Sequence, residues 1–184
     1  MAATAVGRSI DTLFLAVLQI RHLYISPGHN YFGHHGRPSG EHPMIEVPRV
    51  HCVPGRGLEG DRFFDFKPDY KGQVTFFPWE QYEKVCATFD VHDRTPAGFR
   101  RNVITQGADL LALIDQEFEI QGVRFLGRAE CTPCYWMDQA FCPGTEELLK
   151  GNGGLRAQIL SDGFLESLAS VNSAETPGEV ASAV

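Results

Sequence analysis

Apolar positions along this chain fall into short blocks, most of them with a period of two. Glu117 to Ile120 and Val123 to Leu126 alternate apolar and polar residues, and Gln121-Gly122 between them has the composition of a two-residue hairpin turn. Thr12 to Tyr24, Val47 to Val53, Gln73 to Phe77 and Leu155 to Leu160 are rich in Leu, Ile, Val and Phe and are expected as strands, as is the β-branched run at Val103. One stretch has the helical period instead. After Pro78, suited to a helix start, the residues Trp79, Tyr82, Val85, Cys86 and Phe89 share one face. Gly144-Thr145 is expected to open a second, short helix through Lys150. Many short strands with a few helices predict a mixed, β-rich α+β domain, barrel-like rather than doubly wound. That domain is expected over residues 12–165. The small, polar residues 1–11 predict a frayed start, and residues 166–184, poor in groups worth burying, predict a mobile tail.

Composition narrows the class. The 184 residues are 43% hydrophobic and 21% charged, as in a soluble globular protein with a real core. A net charge of −7 argues against a nucleic-acid-binding face over the whole domain, so no nucleic acid is expected as a partner. The longest apolar run, Leu13 to Ile20, is interrupted by Gln19 and is far too short to cross a membrane. Asp11 beside it, with Arg21-His22 after it, is unlike a signal peptide, so no membrane association is expected. Five cysteines, an odd number at ordinary density, predict reduced thiols and a cytoplasmic setting.

Candidate chemistry centres on Glu130-Cys131-Thr132-Pro133-Cys134. Two cysteines three apart follow a strand, and Pro133 is suited to begin a helix that Cys134 would open. The positive end of such a helix favours a thiolate, which a metal, a disulfide or sulfur transfer would use. The same spacing also suits two small core residues. Arg100-Arg101, at the mouth of a β-run, are either surface charges or a fork for phosphate. Four of the seven histidines lie in the Gly/Pro-rich loop 26–43, without a tetrahedral zinc pattern. The turn Gly55 to Arg62 lacks the ending of a phosphate loop.

In order, Gly57-Leu58-Glu59-Gly60-Asp61-Arg62, Gln73-Val74-Thr75, Arg100 to Leu110, Glu130 to Cys134 and Gly153-Gly154-Leu155-Arg156-Ala157 resemble the MOSC family, named for the C-terminal domain of molybdenum cofactor sulfurase. The resemblance is to its short, free-standing members and covers roughly residues 12–163. It implies a strand-rich, barrel-like fold and an association with the molybdenum cofactor, a molybdenum-bearing pterin dithiolene with a terminal phosphate. The family's cysteine maps onto Cys134, implied either to ligate molybdenum or to carry sulfur as a persulfide. Arg100, Arg101 and Asn102 match the segment that faces the anionic cofactor, and Asp61, Arg62 and Arg156 stand in the other matching pieces. No pyridoxal-phosphate domain fits in this length, so that cofactor is not expected. The accompanying N-terminal domain of many reductase members is likewise not expected.

Three functions follow as expectations. The first is a molybdenum-cofactor protein that reduces N-hydroxylated compounds or carries sulfur for the cofactor through Cys134. It would have a small-molecule substrate and either an electron-donor protein or a cofactor-biosynthesis partner. The second is a non-catalytic cofactor-binding module. The third is a dithiol redox protein using Cys131 and Cys134, although no βαβ pattern encloses the pair. A zinc site from Cys131, Cys134, Cys142 and a histidine is a minor fourth.

Overall fold

The computed structural model describes residues 18–31 and 38–168. The helix expected after Pro78 and the strand expected before it both form, as β5 (Val74–Pro78) and α1 (Trp79–Phe89). β5 is apolar and buried nearly throughout, as a central strand should be. On one side it pairs in parallel with β6 (Val103–Gln106), and on the other antiparallel with β9 (Leu155–Ile159). The chain between β5 and β6 is α1, the turn at Asp90 and a 3₁₀ segment (Pro96–Phe99), so a single βαβ crossover sits in a largely antiparallel sheet. The parallel pairing was not legible in the apolar runs, which carry no direction.

Among the described residues this sheet has seven strands. Beyond β6 lie β1 (Gln19–Ile25) and the two-residue β2 (Ile45–Glu46); beyond β9 lie β8 (Val123–Glu130) and β7 (Glu117–Ile120). The β7–β8 hairpin turns at Gln121 and Gly122, both at positive φ (51° and 80°), the conformation that suits the twist of the flanking strands. A smaller sheet joins β10 (Gly163–Glu166), β3 (Arg49–Val53) and β4 (Gly57–Leu58). Val50, Cys52, Leu58 and Leu165 from the small sheet share one apolar core with Leu23, Val74, Phe76, Phe125 and Leu155 from the large one. The β-rich mixed fold is therefore as expected, and two sheets wrap a common core. Among the described strands no ladder joins the two sheets, so the barrel is open.

A second core fills the space beneath α1. Phe99 lies between Phe77 and Phe141, with ring centroids 4.6 and 4.4 Å away, and Tyr82, Val85 and Cys86 of α1 cover them. Two short helices, α2 (Trp136–Ala140) and α3 (Thr145–Leu148), contribute Met137 and Leu148 to the same cluster. Glu166, where the sequence puts the start of a tail, is the last residue of β10. Glu166 pairs with Arg49, and the Ser167 amide donates to the Pro48 carbonyl. Residues 1–17 and 169–184, including the expected start of the first strand, lie outside the described residues.

Candidate functional site: an arginine-rich notch at Cys134

The site is built on a buried polar node where three strands meet. Asn102, just before β6, is 2% exposed, and both ends of its carboxamide are engaged. Its Oδ1 accepts from the Thr75 amide (3.2 Å) and hydroxyl (2.8 Å); its Nδ2 donates to the Tyr24 carbonyl and to Asp61 Oδ2, both at 3.1 Å. Asp61, 6% exposed, also accepts from the Ser26 amide (3.0 Å), the Phe63 amide (3.1 Å) and Arg62 Nη1 (3.4 Å). A buried carboxylate held by this many donors ties β1, β5, β6 and the Gly57–Arg62 turn together. Asn102 and Asp61 are thus placed to support the site from beneath, with their side chains committed to protein partners.

Four arginines gather around that node. Arg62 has a side chain only 9% exposed; besides Asp61 it reaches the Met44 sulfur and lies over the Phe63 ring. Burial, and then Arg101 close by, push its pKa down. Arg100 occupies a left-handed conformation (φ 55°) that turns its side chain back over loop 26–42. There it donates to the His42 carbonyl (3.1 Å), the Gly28 carbonyl (3.2 Å) and the Ser26 hydroxyl (3.3 Å). Burial, reinforced by Arg62, pushes its pKa down to about 10. Arg101 points the other way and donates to three carbonyls, Cys131 (2.8 Å), Gly153 (3.1 Å) and Phe99 (3.2 Å). Arg156, on β9, acts on Tyr70: burial pushes the Tyr70 hydroxyl pKa up, while Arg156 and Arg62 pull against it. Asp61 is the carboxylate paired with these guanidiniums among the described residues, so positive charge is in excess. A partly desolvated cluster of like charges is unfavourable until an anion joins it.

The two cysteines are placed differently. Cys131 follows β8 at 2% exposure, its amide bonded to the Gly154 carbonyl; Cys134 is exposed. Gly153 and Gly154 permit that close approach. A Cβ on Gly153 would collide with the Cys131 carbonyl, and one on Gly154, at φ 96°, with the Phe76 carbonyl. Cys134 does not open the following helix. Tyr135 is its cap and Trp136 its first residue, and the Cys134 carbonyl accepts from the amide of Met137, the second helical residue, in a tight turn. With five residues, α2 offers far less dipole than the sequence suggested. The thiol's surroundings are set instead by a notch of about 130 Å³, whose walls include Tyr31, Phe99, Arg100, Arg101 and Trp136. Tyr31 stacks on Trp136 (4.9 Å, 29°), and the Arg100 guanidinium lies 5.4 Å from the Tyr31 ring centre.

Residues far apart in sequence, Arg62, Arg100, Arg101, Cys131 and Arg156, are therefore brought together around the Asp61–Asn102 node, with Cys134 at the rim. Tyr31, Tyr70 and Trp136 were not singled out as site residues. Tyr31 stands in the histidine-rich loop, and Trp136 closes the stretch that begins at Glu130. From that loop, His29 packs edge-on against Phe63 (4.8 Å), and burial pushes its pKa down. His34 and His35 lie outside the described residues. The five cysteines are free thiols, and among the described residues no group of three His, Cys, Asp or Glu side chains could hold a metal ion. The proposed zinc set of Cys131, Cys134, Cys142 and a histidine is therefore not assembled.

The MOSC domain family model matches residues 34–166, and the chain belongs to this family. Its members are associated with the molybdenum cofactor. Three solved structures share the fold. The YUAD protein from Bacillus subtilis superposes with a TM-score of 0.64 at 16% identity, over 82% of this chain and 91% of that one. YiiM from Geobacillus stearothermophilus gives 0.58 at 14% identity, over 84% and 82%. YiiM from Escherichia coli gives 0.53 at 19% identity, over 77% and 65%. Among curated proteins no sequence matches. No helix among the described residues is long and apolar enough to cross a membrane.

Proposed function

We propose that the notch binds the molybdenum cofactor, with Cys134 as the thiolate that ligates molybdenum or carries sulfur for it. The observation that carries this reading is an exposed thiol at the rim of a cluster of partly buried, undercompensated arginines. A thiolate is a soft donor suited to molybdenum, and guanidinium forks suit phosphate and other oxyanions. At about 130 Å³ the notch is smaller than the roughly 300–1,000 Å³ of whole-ligand pockets. It would take one anionic or single-ring part of the cofactor, and Arg62 and Arg156 would be the further guanidiniums for the rest. In this arrangement Arg100 faces the anion beside the Tyr31–Trp136 wall. Arg101 fixes the cysteine loop through the Cys131 and Gly153 carbonyls, and Asp61, held by Asn102, pairs with Arg62. When bound, the cofactor supplies two-electron chemistry at molybdenum. The activity proposed is reduction of N-hydroxylated compounds, with electrons from a donor protein, or delivery of sulfur to the cofactor.

Elemental analysis of protein purified from a cofactor-competent host tests this. Molybdenum is expected in the wild type; in Cys134→Ser, with the same circular dichroism, its loss marks a ligand and its retention with loss of sulfur loading marks a sulfur carrier. Wild-type protein free of molybdenum, or a Cys134→Ser variant that keeps both molybdenum and sulfur loading, would refute the reading. A dithiol redox protein would behave differently, forming a reversible Cys131–Cys134 disulfide and losing turnover when either cysteine is changed.

A further inference from the structure

The Asn152–Gly154 turn, which abuts the cysteine loop, has a second cavity on it. Asn152 and Gly154 line a crevice of about 420 Å³ together with Pro78, Glu80, Gln81 and Asp109, among others. It opens at the carboxyl ends of the parallel strands β5 and β6, where Pro78 ends one and Gly107 follows the other. Crevices at the carboxyl ends of parallel strands are recurrent ligand sites in open α/β sheets.

Its chemistry is opposite to that of the notch. No lysine, arginine or histidine lines it, and its side-chain polar groups are two carboxylates and two carboxamides. Each carboxylate is only partly used. Glu80 Oε1 accepts from the Gly107 amide (2.8 Å), and Asp109 Oδ1 accepts from the Leu111 and Ala112 amides (3.0 and 3.3 Å), leaving a second oxygen on each. Gln81 Nε2 is directed at Asn152 Oδ1 (3.4 Å), while Gln81 Oε1 is buried with no donor.

We propose that this crevice binds a small planar organic cation of the amidinium or guanidinium type. An anion would meet two carboxylates and no basic side chain. A bare metal ion would lack a third ionisable ligand, since no such group of three exists among the described residues. A flat cation carrying several N–H donors meets the second oxygens of Glu80 and Asp109. The volume suits a molecule of one ring plus that group. The site is independent of molybdenum and of Cys134.

Benzamidine titrated into the full ¹⁵N-labelled chain tests this, read at the amides of Gly107, Asn152 and Gly154. Saturable shifts are expected at those amides. In the double variant Glu80→Gln, Asp109→Asn, affinity should fall at least about tenfold. Both replacements keep an oxygen for the Gly107, Leu111 and Ala112 amides, and either single variant, weakened severalfold, serves if the double one fails to fold. Cys134→Ser should bind benzamidine like the wild type. No saturable shift, equal binding of benzamide or benzoate, or undiminished binding by the folded variants would overturn the assignment.

Discussion

The two concavities on either side of the Asn152–Gly154 turn differ in sign and in depth of charge. In the notch, guanidiniums are drawn partly out of water; burial and then Arg101 hold Arg62 below its usual pKa, and burial and then Arg62 do the same to Arg100. In the crevice the carboxylates of Glu80 and Asp109 sit at an exposed rim, each with one oxygen on backbone amides. Buried like charges make a site that gains strongly when its counter-ion arrives. Exposed carboxylates remain comfortable without one, so their ligand gains less. An overall charge of −7 conceals a locally positive site.

The largest test of this contrast removes the foundation of one side. Asp61→Ala leaves Arg62 buried without its carboxylate and strips acceptors from Asn102, Ser26 and Phe63, a loss of about 3–5 kcal/mol in denaturant unfolding. A loss below about 1 kcal/mol would mean the pair behaves as a surface ion pair.

Thiol accessibility comes next. Cys134 should react with iodoacetamide in the native protein, while Cys131 and Cys52, 2% and 0% exposed, react only after local opening. Burial also pushes the Cys52 thiol up to about 12, leaving little thiolate. An opening cost of about 3 kcal/mol predicts a rate gap of roughly a hundredfold or more. Mass spectrometry showing equal labelling would dissolve the distinction between the two cysteines of the pair.

Arg100→Ala should lower cofactor retention by about tenfold or more, a charge-assisted hydrogen bond to an anion being worth about 1.5–3 kcal/mol. Benzamidine binding in the crevice should not change. Arg101→Ala should lower retention too, and in addition loosen the Cys131–Cys134 loop, read as faster labelling of Cys131. If Arg101→Ala leaves Cys131 protected, the clamp on the Cys131 and Gly153 carbonyls is unimportant.

The smallest effect is in pH. Because the folded pKa of Arg100 is lowered, its charge is disfavoured by the fold, and that penalty is relieved as pH rises through about 10. Affinity of the notch for inorganic phosphate should therefore fall through about pH 10, below the usual arginine range, and do so less in Arg100→Ala. An unchanged affinity to higher pH would place the anion away from Arg100.

Much of the fold was legible because period and punctuation are local. The Gln121-Gly122 hairpin, the α1 face from Trp79 to Phe89 and β9 at Leu155–Ile159 all stand where the apolar spacing put them. β10 was missed, since Gly163–Glu166 shows little alternation and owes its order to pairing with β3. The Cys134 helix was overestimated: only the five residues Trp136–Ala140 are helical, and Tyr135, not Cys134, caps them.

The sequence by itself determined the strand-rich class, the family motifs and their order, and the paired Arg100-Arg101 and Cys131–Cys134 as candidates. Only the tertiary structure decided what each does. Neighbouring arginines diverge because Arg100 takes a left-handed backbone conformation, sending one guanidinium to loop 26–42 and the other to the cysteine loop. Asn102 and Asp61, 41 residues apart, become one buried node. Tyr31 joins Trp136 across more than half the chain. Exposure, charge at depth and the acid-lined crevice arise from contacts between distant segments, and no local pattern of residue types encodes them.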